Sequence, residues 1–307
     1  MSNPGQSQFL VDLLGLQRLT TIVDVGANPV DGDPPYKTLL DLGLAAVVGF
    51  EPQAEALASL NQRKGSNETY LPYAVGRGGS ELLRVCRASG MSSLLDPDPD
   101  MLSSLNDFEM LGEVLDTREV ETRRLDDIDE IQHMDFLKID IQGSELAVFE
   151  SGHGKLADCA VVQTELSFLP LYRDQPLFWE IDRELRQQGF LPHAFAAIKR
   201  WPLAPYVHDN NRRQPLNQLL EADLIYVRDF LHPSPDQVEQ FRHLALIAHF
   251  CFGSLDLAAR CLAILEQAGA VAQGSRERYL DWIGNGREKP KPTVNTTISF
   301  DMDFDVY

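Results

Sequence analysis

Two short apolar runs, each leading into a turn or an acid, constrain this chain more than any other feature. Thr21-Ile22-Val23-Asp24-Val25 runs directly into Gly26-Ala27-Asn28. About 20 residues later, Ala45-Ala46-Val47-Val48-Gly49-Phe50 ends in Glu51. A buried strand, a tight glycine turn, a helix and a second strand ending in an acid is how a doubly wound sheet holds a nucleotide-type ligand. The glycine lets backbone approach the ligand, and the acid accepts hydrogen bonds from ribose hydroxyls.

The turn also discriminates among ligands. A pyrophosphate needs three glycines to pass it, and only Gly26 is in place; Asn28 and Pro29 stand where further glycines belong. A ligand without phosphates fits better. S-adenosylmethionine is such a ligand, its ribose on Glu51 and its methionine part over the Gly26 turn. A second constellation spans Asp135-Phe136-Leu137-Lys138-Ile139-Asp140-Ile141-Gln142-Gly143-Ser144-Glu145. Asp140 falls near the carboxyl end of a buried strand, where open α/β sheets place their ligands. An acid there can face a sulfonium, orient a hydroxyl or help hold a metal; capping the following helix is its alternative use. Lys138, in an otherwise apolar strand, needs a partner or a route to solvent.

The remaining pattern alternates strands and helices. Strands are expected over 21–25, 46–50, 68–74, 136–141, 160–165, 190–196 and 224–227, with helices over 8–16, 36–42, 52–63, 144–150 and 177–188 between them. Residues 81–87 and 119–123 alternate in polarity like half-exposed antiparallel strands, with an irregular excursion at 97–107 between them. The fold class is α/β, a doubly wound and mostly parallel sheet with helices on both faces. After Asp229 the character changes: residues 236–252 and 255–268 read as two helices joined at Gly253, and residues 287–307 lack periodicity. The expected division is a main domain over 1–231, a small helical appendage over 232–285 and a flexible acidic tail over 286–307.

Asp24-Val25-Gly26-Ala27-Asn28, Gly49-Phe50-Glu51-Pro52, Ala74-Val75-Gly76, Met91-Ser92-Ser93-Leu94, Leu125-Asp126-Asp127-Ile128 and Phe136-Leu137-Lys138-Ile139-Asp140-Ile141-Gln142-Gly143-Ser144-Glu145-Leu146 occur in this order. Together they resemble the FkbM family of S-adenosylmethionine-dependent methyltransferases, over about residues 20 to 230. The resemblance implies a class I, Rossmann-like methyltransferase fold with a seven-stranded sheet, and O-methylation of a sugar or natural-product hydroxyl. Cofactor contacts are expected at Asp24, Gly26, Ala27, Asn28, Tyr36, Glu51, Pro52, Ala74, Val75, Ser93 and Asp140. The chain departs from the pattern at Gln142, where the family often has Glu, and in a longer turn from Pro29 to Tyr36. That turn contains Asp33-Pro34-Pro35-Tyr36, which looks like the motif of amino-methyltransferases but comes just after the first strand rather than the fourth. Its prolines are expected to stiffen the cover over the methionine end, with Tyr36 lining the pocket.

Methyl transfer to oxygen needs positioning and a proton acceptor. The candidate bases are Asp140, Glu165 at the end of the 160–165 strand, His193 on the next strand and His208 in the following loop. Asp140 and Glu165 together could hold a divalent metal, which would acidify a hydroxyl. The polar stretch 209–214 is long enough for a substrate loop, and Trp179 and Trp201 could stack on a sugar.

The formal net charge of −19 disfavours nucleic acid and anionic membrane surfaces as partners. No apolar run approaches the roughly 20 residues that span a bilayer. The four cysteines, Cys86, Cys159, Cys251 and Cys261, have neither zinc nor disulfide spacing. They are expected to be reduced, and the protein cytoplasmic. The expected partner is a small-molecule or glycan acceptor, with the C-terminal helices available for a homo-oligomer. Two other readings stand at this point: a methyltransferase-like scaffold that binds a protein partner, and a nicotinamide-dependent oxidoreductase.

Overall fold

The computed structural model describes residues 4–28 and 32–284. Its centre is a seven-stranded sheet in the order β3-β2-β1-β7-β8-β10-β9. The strands are β1 (Thr20–Val25), β2 (Ala45–Phe50), β3 (Glu68–Leu71), β7 (Phe136–Ile139), β8 (Val161–Ser167), β9 (Phe190–Arg200) and β10 (Leu219–Arg228). Neighbours pair in parallel from β3 to β8, whereas β10 is antiparallel to both β8 and β9. This is the doubly wound, class I arrangement expected from the motifs.

The strands expected over 21–25 and 46–50 begin one residue earlier in the structure. That over 68–74 stops at Leu71, because Pro72 has no N–H to continue a ladder. The chain then contributes β4 (Ala74–Val75) to a separate three-stranded sheet, with β5 (Gly79–Cys86) antiparallel to β6 (Val114–Arg123). The irregular excursion contains two short helices, α4 (Pro99–Ser103) and α5 (Phe108–Leu111). Asp98 caps the first by accepting from the N–H of Asp100 at 3.0 Å.

Helices cover both faces of the main sheet. On one face Val23, Leu137 and Val162 pack with α6 (Glu145–Ser151), α7 (His153–Asp158) and α8 (Phe178–Gln187). On the other, Ile22, Phe136, Val161 and Val227 pack with α1 (Pro4–Leu14), α2 (Lys37–Asp41), α9 (Val238–Phe250) and α10 (Leu255–Gln267). The helices expected as an appendage over 232–285 therefore share a continuous core with the sheet. His243 of α9 is fully buried, 2.9 Å from Thr20 Oγ1. α11 (Ser275–Gly284) adds Tyr279 to the same core. The expected tail over 286–307 lies outside the described residues. The four cysteines are buried.

This second face changes character along its strands. Ile22, Phe136 and Val161 lie side by side in register; two residues on, Asp24, Lys138 and Gln163 do. Apolar packing thus gives way to a polar row as the strands approach their carboxyl ends. A third cluster, with Met91, Phe108, Tyr172 and Trp201, packs beyond those ends.

Candidate active site

The site is built at the carboxyl ends of β1, β2, β7 and β8. Gly26 leaves β1 with φ +79, and a Cβ there would lie 2.0 Å from the main-chain oxygen of Asp140. Only glycine permits that approach. The N–H groups of Gly26 and Ala27 both donate to the carbonyl of Phe50 at 3.1 Å, which ties the turn to the end of β2. Ala27 is buried and Asn28 half-buried.

Asp24 is 3% exposed. Tyr36 donates its hydroxyl to Asp24 Oδ2, and Lys138 Nζ lies 3.5 Å from Oδ1. Oδ1 is buried and has no hydrogen-bond partner. Burial pushes the Asp24 carboxyl above its ordinary range, against the pull of Lys138 and Tyr36. Desolvation works against the Lys138 ammonium, but Asp24 and Asp140 leave it more basic than usual. The partner that Lys138 needs is therefore Asp24, and it also donates to Gly26 O at 3.3 Å. The ring of Tyr36 belongs to the hydrophobic core, edge-on to Phe136 at 6.4 Å, so only its hydroxyl addresses the site.

Glu51 closes β2 and is 3% exposed. Its Oε1 accepts the Gln53 N–H at 2.7 Å, and burial raises its carboxyl to about 6. Pro52 follows, half-buried. A buried carboxylate beneath a glycine turn, and a second acid at the end of the neighbouring strand, form a set suited to a nucleoside cofactor bearing an amino acid and no phosphate. Val75 is 1% exposed in the core and Ala74 pairs with Thr122, so both lie in the small sheet. Ser93 is drawn into the site indirectly: its hydroxyl donates to the Gln142 carbonyl at 2.6 Å.

Beyond the Gly26 turn lies a second polar group. Gln142, at φ +57, donates from Nε2 to Asp140 Oδ1 at 2.7 Å and to Glu165 Oε2 at 3.0 Å. Lys199 Nζ donates to Glu165 Oε1 at 2.6 Å and lies 3.8 Å from Glu221 Oε2. Asp223 faces Glu165 across the β8–β10 pair. Burial, then the charges of Asp140 and Glu221, raise the Glu165 carboxyl well above its ordinary range despite Lys199. Glu145 organises the turn after β7: its Oε1 accepts the N–H of Ile141 at 3.0 Å and of Gly143 at 3.2 Å. The alternative use expected for Asp140, capping the next helix, is not made: α6 has Ser144 at its N-cap position and no side-chain cap hydrogen bond.

Asp140 and Glu165 are brought together, and the histidines are placed elsewhere. His193 pairs through Nε2 with Ser254 Oγ at 2.7 Å, at the start of α10, and burial lowers its pKa. His208 is half-exposed, stacked near Tyr206 and 3.5 Å from Asp209. Arg212 and Arg213 of the polar loop both bind Asp107, at 2.9 and 3.0 Å. Trp201 is 1% exposed and donates its ring N–H to Asn106 O at 2.8 Å, so it packs in the core rather than against a ligand. Trp179 is exposed on α8, with Arg183 over its ring. Lys199, Glu221 and Asp223 are the members that sequence reasoning missed. The one available signal was a lysine and two acids inside β-strand patterns.

Among the described residues no group of three His, Cys, Asp or Glu side chains is arranged to hold a metal ion. The pair Asp140–Glu165, which could have held a divalent metal, is bridged by an amide. A cavity of about 300 Å³ lies at the opposite end of the sheet, lined by Arg18, Asp135 and Gln240 among others, away from these groups. No described helix is long and apolar enough to cross a membrane.

The model of the FkbM methyltransferase domain matches residues 24–192. Among solved structures, the chain is similar to magnesium protoporphyrin IX methyltransferase from Synechocystis PCC 6803 with bound SAM, at 11% identity over 73% of this chain and 80% of that one, TM-score 0.34. It is also similar to precorrin-6y C5,15-methyltransferase from Geobacter metallireducens GS-15, at 12% identity over 73% and 88%, TM-score 0.34. No curated protein sequence matches it.

Proposed function

The chain belongs to the FkbM methyltransferase family, and from that premise we propose that it methylates a hydroxyl group of a glycan, sugar or other small hydroxylated natural product. It is an S-adenosylmethionine-dependent methyltransferase; the class of acceptor is the content of the proposal. When bound, S-adenosylmethionine supplies an electrophilic methyl group on a sulfonium.

The proposed holders of the cofactor are the Gly26-Ala27-Asn28 turn and Glu51, which takes the ribose hydroxyls. Asp24 and Lys138 fix the turn from beneath, through the Lys138 contact to Gly26 O. Pro52 and Ser93 border the same region, and Ala74 and Val75 support it through the small sheet.

The observation that carries the acceptor reading is the position of Asp140. Its main chain abuts Gly26, and its half-buried carboxylate stands beside the cofactor turn. With S-adenosylmethionine held by the Gly26-Ala27-Asn28 turn and Glu51 to supply the methyl group, Asp140 would take the proton of the acceptor hydroxyl. Glu165, linked to it through Gln142, lies behind as a second proton acceptor. General-base assistance of this kind is worth about 10²–10⁴-fold. The acidic surface disfavours a nucleic-acid acceptor.

The test uses cofactor labelled with ¹³C in the methyl group, incubated with hydroxylated and amine-bearing acceptors. The methyl carbon's NMR shift separates an ether from an amine. An O-methyl signal is expected; transfer only to nitrogen or carbon overturns the reading.

A further inference from the structure

One nitrogen joins the two strand-end carboxylates. Gln142 Nε2 sits 2.7 Å from Asp140 Oδ1 and 3.0 Å from Glu165 Oε2, so one primary amide spends a donor on each. A divalent cation shared by the same two oxygens would need about 2.0–2.6 Å to each, and it would occupy the space that the amide nitrogen fills. The amide is not a passing rotamer at a loose end. The backbone that carries it is held at φ +57, the main-chain carbonyl of Gln142 accepts from Ser93 at 2.6 Å, and the flanking N–H groups of Ile141 and Gly143 bind Glu145. The second oxygen of Glu165 is taken by Lys199 at 2.6 Å. Positive charge therefore comes from a fixed ammonium, and the bridge from a neutral amide.

We infer that Gln142 stands in place of a metal ion between Asp140 and Glu165, and that exchanging its amide for a carboxylate converts this pair into a divalent-cation site. A glutamate at 142 would set three carboxylates around one point, an arrangement that is repulsive when empty and relieved by a dication. The pair's use as a proton acceptor rests on the function proposed above, but the occupancy of this point does not. It is read by metal binding alone, so the two ideas fail separately.

The probe is Mn²⁺, followed by calorimetry and electron paramagnetic resonance on the full chain without cofactor. The acidic surface will bind Mn²⁺ weakly, so each protein is compared with its Asp140→Asn counterpart. Wild type is expected to show no Mn²⁺ binding that Asp140→Asn removes. Q142E is expected to bind one equivalent at least ten times more tightly than any wild-type site, and Q142E/D140N to lose it. A wild-type Mn²⁺ site abolished by Asp140→Asn overturns the inference, as does a folded Q142E that gains none. If Q142E fails to fold, Q142A decides: removing the bridge without adding charge should raise Mn²⁺ affinity in a manner sensitive to Asp140→Asn, and an affinity equal to wild type overturns the inference.

Discussion

The α-carbon of Gly26 faces the carbonyl oxygen of Asp140 so closely that a methyl group at that carbon would lie 2.0 Å from it. The turn that ends β1 and the acid that ends β7 are thus one mechanical unit. A shift in either moves both the proposed cofactor cradle and the proposed base. Gly26→Ala adds this clash to a left-handed backbone, φ +79, whose strain alone costs about 1–3 kcal/mol. The expected outcome is a lower urea midpoint and at least a hundredfold loss of S-adenosylmethionine affinity by calorimetry. Unchanged affinity would show that the turn is not the cradle.

Lys138 is the cation beneath that turn, between Asp24 and the Gly26 carbonyl. Lys138→Met leaves Asp24 buried without it, a loss of about 3–5 kcal/mol for a broken buried pair. Asp24→Asn added to it should recover much of that loss, since the amide needs no countercharge. Denaturation of the two single variants and the double variant measures the coupling; simple additivity would mean the pair is not coupled.

Glu51 makes stability pH-dependent. Its carboxyl is raised from 4.5 to about 6 in the folded protein, chiefly by burial. The folded state therefore holds this proton more tightly than the unfolded one. The associated stability is complete below pH 4.5 and is lost as pH rises through 6, amounting to about 2 kcal/mol. Glu51→Gln should flatten that part of the cofactor-free melting curve against pH and weaken cofactor binding at neutral pH. An unaltered pH profile would place Glu51 in solvent-like surroundings.

Lys199 and His208 should separate sharply. Lys199→Met leaves Glu165 and Glu221 without their shared ammonium, so the acid limb of the activity profile should move to higher pH. His208 is half-exposed in a loop, and His208→Ala should change kcat/KM by no more than about threefold, as surface substitutions do. A larger loss at His208 would restore it as a candidate base.

Much of the frame was legible along the chain. The runs at 21–25, 46–50 and 136–141 are apolar because they are buried on both faces, so composition alone marks them. β10 was harder to bound: the apolar pattern marks 224–227, and pairing extends from Leu219 to Arg228. Glu221 and Asp223 break the apolar pattern there, and Lys199 does the same at the end of β9. Glu221 and Lys199 are tolerated in the sheet because they face each other across β9 and β10, and Lys199 also reaches Glu165, a relationship that no single-strand pattern contains.

The sequence by itself determined the doubly wound core and the glycine turn with its distant acid, and it pointed to the candidate site at the strands' carboxyl ends, since each follows from local composition and spacing. Only the tertiary structure decided which of the scattered acids and bases meet. It paired Lys138 with Asp24, and Lys199 with Glu165; it set Gln142 between Asp140 and Glu165, and sent His193 to Ser254. The physical reason is that a charge's partner in a folded sheet is fixed by strand order and register, which join residues up to 114 positions apart in these pairs, while sequence spacing sees only neighbours.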